Sequence, residues 1–266
     1  PLGRVLATLF GQGEKQENII VWNLRLPRAA TAVVAGFGLG MTGCVMQGIL
    51  RNPLASASTI GVSQGAAFGA AFAIIVLGGG MMAAGTTGAQ LSVTNPAITT
   101  ICAFAGSMVS TVFIVGMSRF KRMGPGLLIL AGTALSALFS AGTTLMEYFA
   151  DDVRVAAVVY WTFGDIGSTF CKEIAMMAVV VLLIGVYFRL NCWNYNAMQG
   201  GADTAKGLGV STDRILICGM VAGSFCAAVI VSYIGIINFV GLIAPHMVRR
   251  FVGTDYRFLL PASGLA

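Results

Sequence analysis

Charge is what this sequence has least of. Only 10% of its 266 residues are Asp, Glu, Lys or Arg, while 57% are apolar; a soluble globular domain carries about 25% charged residues. With 16 basic and 10 acidic side chains, a water-soluble fold of this length could not cover its surface. A soluble enzyme, a secreted disulfide scaffold and a disordered chain are excluded. Histidine occurs once, as His246, so neither a His-based triad nor an H-E-x-x-H zinc site can be assembled. No Lys follows a Gly, which removes the Walker phosphate loop and with it ATP hydrolysis by this chain. The six cysteines (Cys44, Cys102, Cys171, Cys192, Cys218 and Cys226) contain no C-x-x-C pair and no metal-ligand spacing. They read as small hydrophobes. No catalytic set, resident metal or cofactor is expected. The net charge of +6 does not indicate nucleic acid, because the bases sit in short clusters between apolar runs.

What is present is a series of long uncharged runs, and a helix needs about 20 apolar residues to cross a ~30 Å hydrocarbon layer. The fold class expected is all-α: a polytopic membrane protein with about seven complete transmembrane helices and the start of another. The spans read as 29–50, 59–77, 97–118, 125–147, 172–190, 214–232 and 235–251, with an eighth opening near Phe258. The Gly78-Gly79-Gly80 run and the polar stretch to Pro96 separate the second from the third. A barrel would show alternating segments of about 10 residues, and these runs are continuous. The chain is expected to form one transmembrane domain over 1–266: an outer segment 1–28, spans within 29–251, an inner loop 191–213 and a new span from 258. No leader pattern is visible, and Pro1 and the apolar stretch at the end lead us to expect a piece of a longer protein.

Lys and Arg are enriched on cytoplasmic loops. One face collects Arg51, Arg119, Lys121, Arg122, Arg189, Lys206, Arg214, Arg249, Arg250 and Arg257; the other has Arg4, Lys15, Arg25, Arg28, Arg154 and Lys172. The first face is therefore read as cytoplasmic, which leaves Arg25 and Arg28 outside, against the bias. Small residues recur at four-residue spacing (Gly36/Gly40; Gly61/Gly65/Gly69), the pattern that lets helices approach in lipid. Gly38-x-Gly40-x-x-Gly43 formally matches a dinucleotide fingerprint, but inside a span it reads as helix packing. Span interiors lack ionisable groups, Glu147 lying at an outer end, which weakens a proton-coupled transporter. The polar residues there are neutral: Gln47, Gln64, Thr133, Ser136, Ser140, Thr143, Thr144, Ser224, Ser232 and Asn238. They either line a passage or bond across helices. His246 reads as an interfacial polar residue at a helix end, with a ligand role as the other option.

Three connecting segments carry candidate function. At Arg25-Leu26-Pro27-Arg28, two guanidinium forks flank a proline suited to a first helical turn. They are fitted to pair with carboxylates of an acidic protein surface or to anchor on lipid phosphate. Arg51-Asn52-Pro53-Leu54-Ala55 is a stiff inner turn, either a plain hairpin or a gate. In the loop 191–213, Asp203, Ala205, Gly207, Leu208, Gly209 and Val210 form a short amphipathic turn or helix suited to a partner's groove.

Together these residues resemble the permease family of ABC importers for iron–siderophore complexes, haem and cobalamin. The strongest block runs from Arg25-Leu26-Pro27-Arg28 through Gly43, Met46-Gln47-Gly48 and Arg51–Ala55 to Gly61-Val62-Ser63-Gln64-Gly65. Further blocks are Leu130-Ala131-Gly132 with Ala134-Leu135-Ser136, and Trp161-x-x-Gly164 with Ile166 and Ser168. Ala205-x-x-Leu208-Gly209-Val210 and Phe239–His246 with Arg249 complete the series. The blocks keep the family's order over nearly the whole chain; members typically have ten spans, so the resemblance leads us to expect that this stretch omits the first and most of the last two. The resemblance implies a permease homodimer in the cytoplasmic membrane with the path between its copies, two cytoplasmic ABC ATPase subunits and an extracytoplasmic substrate-binding protein. It implies that Arg25 and Arg28 dock the binding protein, that Asn52, Pro53 and Leu54 belong to the inner gate, and that 203–210 receives the ATPase stroke. The other reading is an ion-coupled secondary transporter.

Overall fold

The charge-free runs fold into helices. The structure, a computed structural model, describes Thr8 and residues 15–79, 81–83, 91–93, 96–121 and 124–266. Arg4, Arg122 and Gly80 of the reading above lie outside the described residues.

Helix α1 (Lys15–Ile19) passes through a π-helical turn (Ile20–Arg25) into α2 (Leu26–Ile49), so Gln16–Ile49 is one helical rod of 34 residues. The segment expected as an outer connection at Arg25–Arg28 is thus helical. Pro27 lacks an N–H and its ring crowds the carbonyl four residues earlier; the wider π turn just upstream accommodates it. Helices α4 (Pro96–Lys121), α5 (Pro125–Tyr148), α7 (Cys171–Leu190) and α10 (Thr212–Ile234) coincide with expected spans. With Gln16–Ile49, they are, among the described residues, the five helices long and apolar enough to cross a membrane.

Two of the seven expected crossings are shorter helices. After a 3-10 turn (Ser58–Ile60), α3 (Val62–Ile75) has 14 residues and rises about 21 Å. In 235–251 the chain is non-helical from Gly235 to Phe239, which has φ +72°, and only then forms α11 (Val240–Val252). Glycine and a left-handed phenylalanine interrupt the helix that hydropathy alone predicts. Conversely, α6 (Asp152–Phe163) has no counterpart in the sequence reading; Asp151 caps it by accepting from the Arg154 amide at 2.9 Å. The inner connection is mostly helical, as α8 (Cys192–Gln199) and α9 (Ala202–Gly207), and α12 (Tyr256–Leu265) stands where a new span was expected. Between α3 and α4, β1 (Met81–Ala83) pairs antiparallel with β2 (Leu91–Val93), Met82 opposite Ser92.

The core is built around α2, which touches α7, α10, α11 and α12 and is buried from Gly38 to Gln47. A Cβ on Gly43 would overlap the Gly241 carbonyl of α11, so backbone meets backbone there, as expected when small residues drive helix packing in lipid. Gly65 and Gly106 do the same reciprocally between α3 and α4. Gly36 instead faces open space, so its pairing with Gly40 is not a packing motif. Cys44, Cys192 and Cys226 are buried, Cys102 is half-buried, and Cys171 and Cys218 are exposed; all six are free thiols.

Many neutral polar groups are used structurally. Gln47 donates to the Leu242 carbonyl (3.1 Å) and accepts from Arg249 (3.2 Å). Thr133, Ser136, Thr143 and Ser232 donate to carbonyls of their own helices. Gln64, Ser140 and Thr144 instead line a cleft of about 250 Å³ with Glu147 and Thr162.

Candidate functional site

The sequence-selected residues fall at two opposite ends of the helix frame. At the end where α2 begins, Arg25 closes the π turn and Arg28 lies one turn on, and both are exposed. Neither makes an ion pair with a described residue. Their spacing of three places them on one helix face. Arg28 rests on the 3-10 turn Ile166–Ser168: a Cβ on Gly167 would run into its guanidinium. Beside it, the Thr31 and Thr169 hydroxyls share a hydrogen bond of 2.7 Å, which ties α2 to the entry of α7. Gly167 and Thr169 were not selected from sequence, because they meet Arg28 and Thr31 only in the folded chain.

At the other end of α2 lies the turn Arg51–Ala55. Arg51 adopts φ +49°, a left-handed conformation uncommon for a non-glycine residue. The Asn52 amide donates to the Gln47 carbonyl (3.2 Å), the Asn52 side-chain oxygen accepts from the Leu54 amide (2.9 Å), and the Ala55 amide donates to the Asn52 carbonyl (3.0 Å). Asn52 therefore organises a stiff knuckle with Pro53 and Leu54 exposed at its tip. Leu54 is 62% exposed.

The same end carries α8 and α9. Ala205 is buried, Val210 is half-buried, and Asp203, Gly207, Leu208 and Gly209 are exposed. Leu208 is 69% exposed, while the Val210 amide folds back to the Ala205 carbonyl at 2.9 Å. Gly209, at φ +82°, makes that reversal possible because it has no Cβ to clash. The result is a short helix with its inner face anchored and an apolar knob presented outward.

Its anchoring was not legible in the sequence. Asn196 of α8 donates to Asp255 (2.8 Å) and accepts from the Tyr256 amide (2.8 Å), and Gln199 donates to the Thr254 carbonyl (2.6 Å). Tyr195 packs between the Phe188 and Tyr256 rings. Arg257 pairs with Asp255 through its side chain (2.6 and 2.9 Å) and its amide (2.9 Å), and with the Asn196 bond this holds the Asp255 carboxyl well below the usual carboxylate range. The α8–α9 platform is thus fastened to the junction between α11 and α12. His246 is exposed on α11 without a hydrogen bond among the described residues.

The chain as a whole is similar to known proteins. The model of the FecCD transport family matches residues 1–266. ABC transporter permease protein MJ0087 of Methanocaldococcus jannaschii is 48% identical over 264 residues, covering 99% of this chain and 75% of that protein. The vitamin B12 import system permease protein BtuC of Vibrio vulnificus is 30% identical over 265 residues, covering 100% and 76%. A solved inward-facing structure of a metal-chelate type ABC transporter superposes with a TM-score of 0.83 at 28% identity, covering 95% of this chain and 76% of that one.

Proposed function

This chain belongs to the FecCD transport family, a multi-pass membrane permease of ABC importers, and from that premise we propose that it moves an iron–siderophore complex, or haem or cobalamin, across the cytoplasmic membrane. Two copies pair, with the path between them. ATP is hydrolysed by two separate subunits beneath, and a substrate-binding protein delivers cargo from outside. The observation that carries this reading is the separation of two unlike surfaces. One end of the frame presents unpaired arginines; the other presents an anchored helix with Leu208 outward.

Arg25 and Arg28 offer bidentate donors to carboxylates on the binding protein. Leu208, flanked by Asp203, Ala205, Gly207, Gly209 and Val210, fills a groove on the ATPase. Because α8 is bonded to Asp255 and Tyr256, a push on α9 moves the α11–α12 junction with it. α11 is bonded in turn to Gln47 of α2, one turn from the Asn52-Pro53-Leu54 knuckle. Closure of the ATPase dimer would then reach the inner gate through one continuous set of contacts, which is alternating access. The cargo needs no tight grip in the passage, since the binding protein supplies affinity. The relatives' cargoes include vitamin B12, ferric citrate and hemin, and an iron chelate is the cargo adopted here.

The test is uptake into vesicles containing the permease with its ATPase subunit and binding protein. ATP-dependent chelate accumulation that survives a protonophore is expected. Accumulation driven by an ion gradient without ATP would overturn the reading.

A further inference from the structure

The outer end of the frame holds a cavity of about 120 Å³ that none of these roles uses. It is lined by Tyr160 and Trp161 of α6, Asp165, Glu173 of α7, Thr99 of α4 and the last turn of α10 at Tyr233. One Asp165 oxygen accepts from the Gly167 amide (2.7 Å) and the other from the Tyr160 hydroxyl (3.4 Å). Glu173 accepts from the Phe170 amide at 2.9 Å. Both carboxylates are held in place, yet neither forms an ion pair with a described residue. The C-terminal carbonyls of α10 add further negative character. Thr99, only 2% exposed, lines the same cavity, and its hydroxyl has no hydrogen-bond partner.

Two carboxylates, a helix C-terminus and three aromatic rings therefore surround one opening whose lining contains no basic side chain, a combination that attracts an organic cation. The position identifies the source. Asp165 and Ser168 line the cavity, and Gly167 between them is the residue on which Arg28 rests. The cavity thus adjoins the outer arginines. Resting on the importer reading, we infer that it receives a Lys or Arg side chain of the substrate-binding protein, the reciprocal of the Arg25 and Arg28 contact. Charges of both signs, side by side, fix the orientation of a docking partner as well as attracting it.

The chain has three tryptophans, so a background of Trp22→Phe with Trp193→Phe leaves Trp161 as the only indole. Titration of this full-length protein in detergent with ethylguanidinium chloride is expected to change Trp161 emission saturably. Sodium chloride at equal concentration should not, and Asp165→Asn with Glu173→Gln should weaken the response about tenfold or more. Both substitutions keep an acceptor oxygen for the Gly167 and Phe170 amides, so the fold is retained. A response to sodium chloride, or one undiminished in the double variant, would overturn the cation site. The same double variant is expected to weaken low-salt association of the transporter with its binding protein about tenfold. Unchanged association with the ethylguanidinium response intact would assign the cavity to a free cation and overturn the docking role. ATP-driven uptake by the unsubstituted protein reports on the importer reading separately, so the two failures are distinguishable.

Discussion

Helices α2 and α5 are both 24 residues long and similarly apolar, yet 13 residues of α2 are buried and only Leu128, Gly132 and Leu135 of α5. Hydropathy puts both in a membrane and says nothing of what surrounds them. The difference lies in the small residues. On α2, Gly38, Gly40, Gly43 and Gly48 each meet a neighbouring helix, whereas α5 uses Gly132 and Gly142 against α3 and its entry turn and leaves Gly126 in open space. The exposed side of α5 carries two stripes. Leu127, Leu130, Leu138 and Leu145 suit lipid, while Thr133, Ser140, Thr144 and Glu147 suit water or a partner. A core helix such as α2 is defined by contact, and α5 by what it leaves uncovered.

The comparison breaks if α2 tolerates bulk. Gly43→Leu would drive a side chain into the Gly241 carbonyl and is expected to cost about 3 kcal/mol or more, seen as loss of monodisperse protein, whereas Gly126→Leu on α5 should leave thermal unfolding nearly unchanged. Equal damage at both sites would erase the distinction. Next in size, Leu208→Asp places a charge on the apolar knob of α9; ATPase co-purification should be lost with the melting temperature of the permease itself unmoved. On α5, Ser140→Leu with Thr144→Leu should alter stability by less than about 0.5 kcal/mol and still reduce uptake. Full uptake by that variant would show that the polar stripe faces nothing that matters.

The two smallest effects sharpen the picture. The Asp255 carboxyl is held low by Arg257 and Asn196, so its contribution is fully present above the ordinary carboxylate range and fades only as pH falls through the lower folded value. The difference in melting temperature between the protein and Asp255→Asn should therefore be constant from about pH 5 to 9. Gly36→Ala, on the open face of α2, should stabilise by up to about 1 kcal/mol, measured by the same melting experiment.

Sequence periodicity and composition found the five long helices, because a run of uncharged residues in lipid has no other way to satisfy its backbone. They missed α6, whose 12 residues include Asp152 and Arg154 and fall short of a span. They overran α11, because Gly235 to Phe239 is apolar enough to pass as helix. Pro27 was read as a helix start, which it is for the α-helical run but not for the rod that continues upstream through the π turn. Of the sites, Arg25 and Arg28 were visible as charges against the bias, the turn at Asn52, Pro53 and Leu54 through its proline, and Leu208 as an apolar residue in a connecting loop. Their supports were not: Gly167 under Arg28, and Asp255 and Tyr256 beside Asn196, are joined across more than 50 positions of chain. Nothing local announces such a partner.

One consequence concerns the non-helical stretch before α11. Among the described residues, no hydrogen bond engages the amides of Ile236 to Phe239, although this piece leads to Gly241, packed against the buried stretch of α2. Unbonded peptide groups do not sit in bare hydrocarbon, so water is expected to reach this stretch. Deuterium should then reach these amides long before those of Gly38 to Gln47, and the short rod beyond them would pivot on a wetted joint.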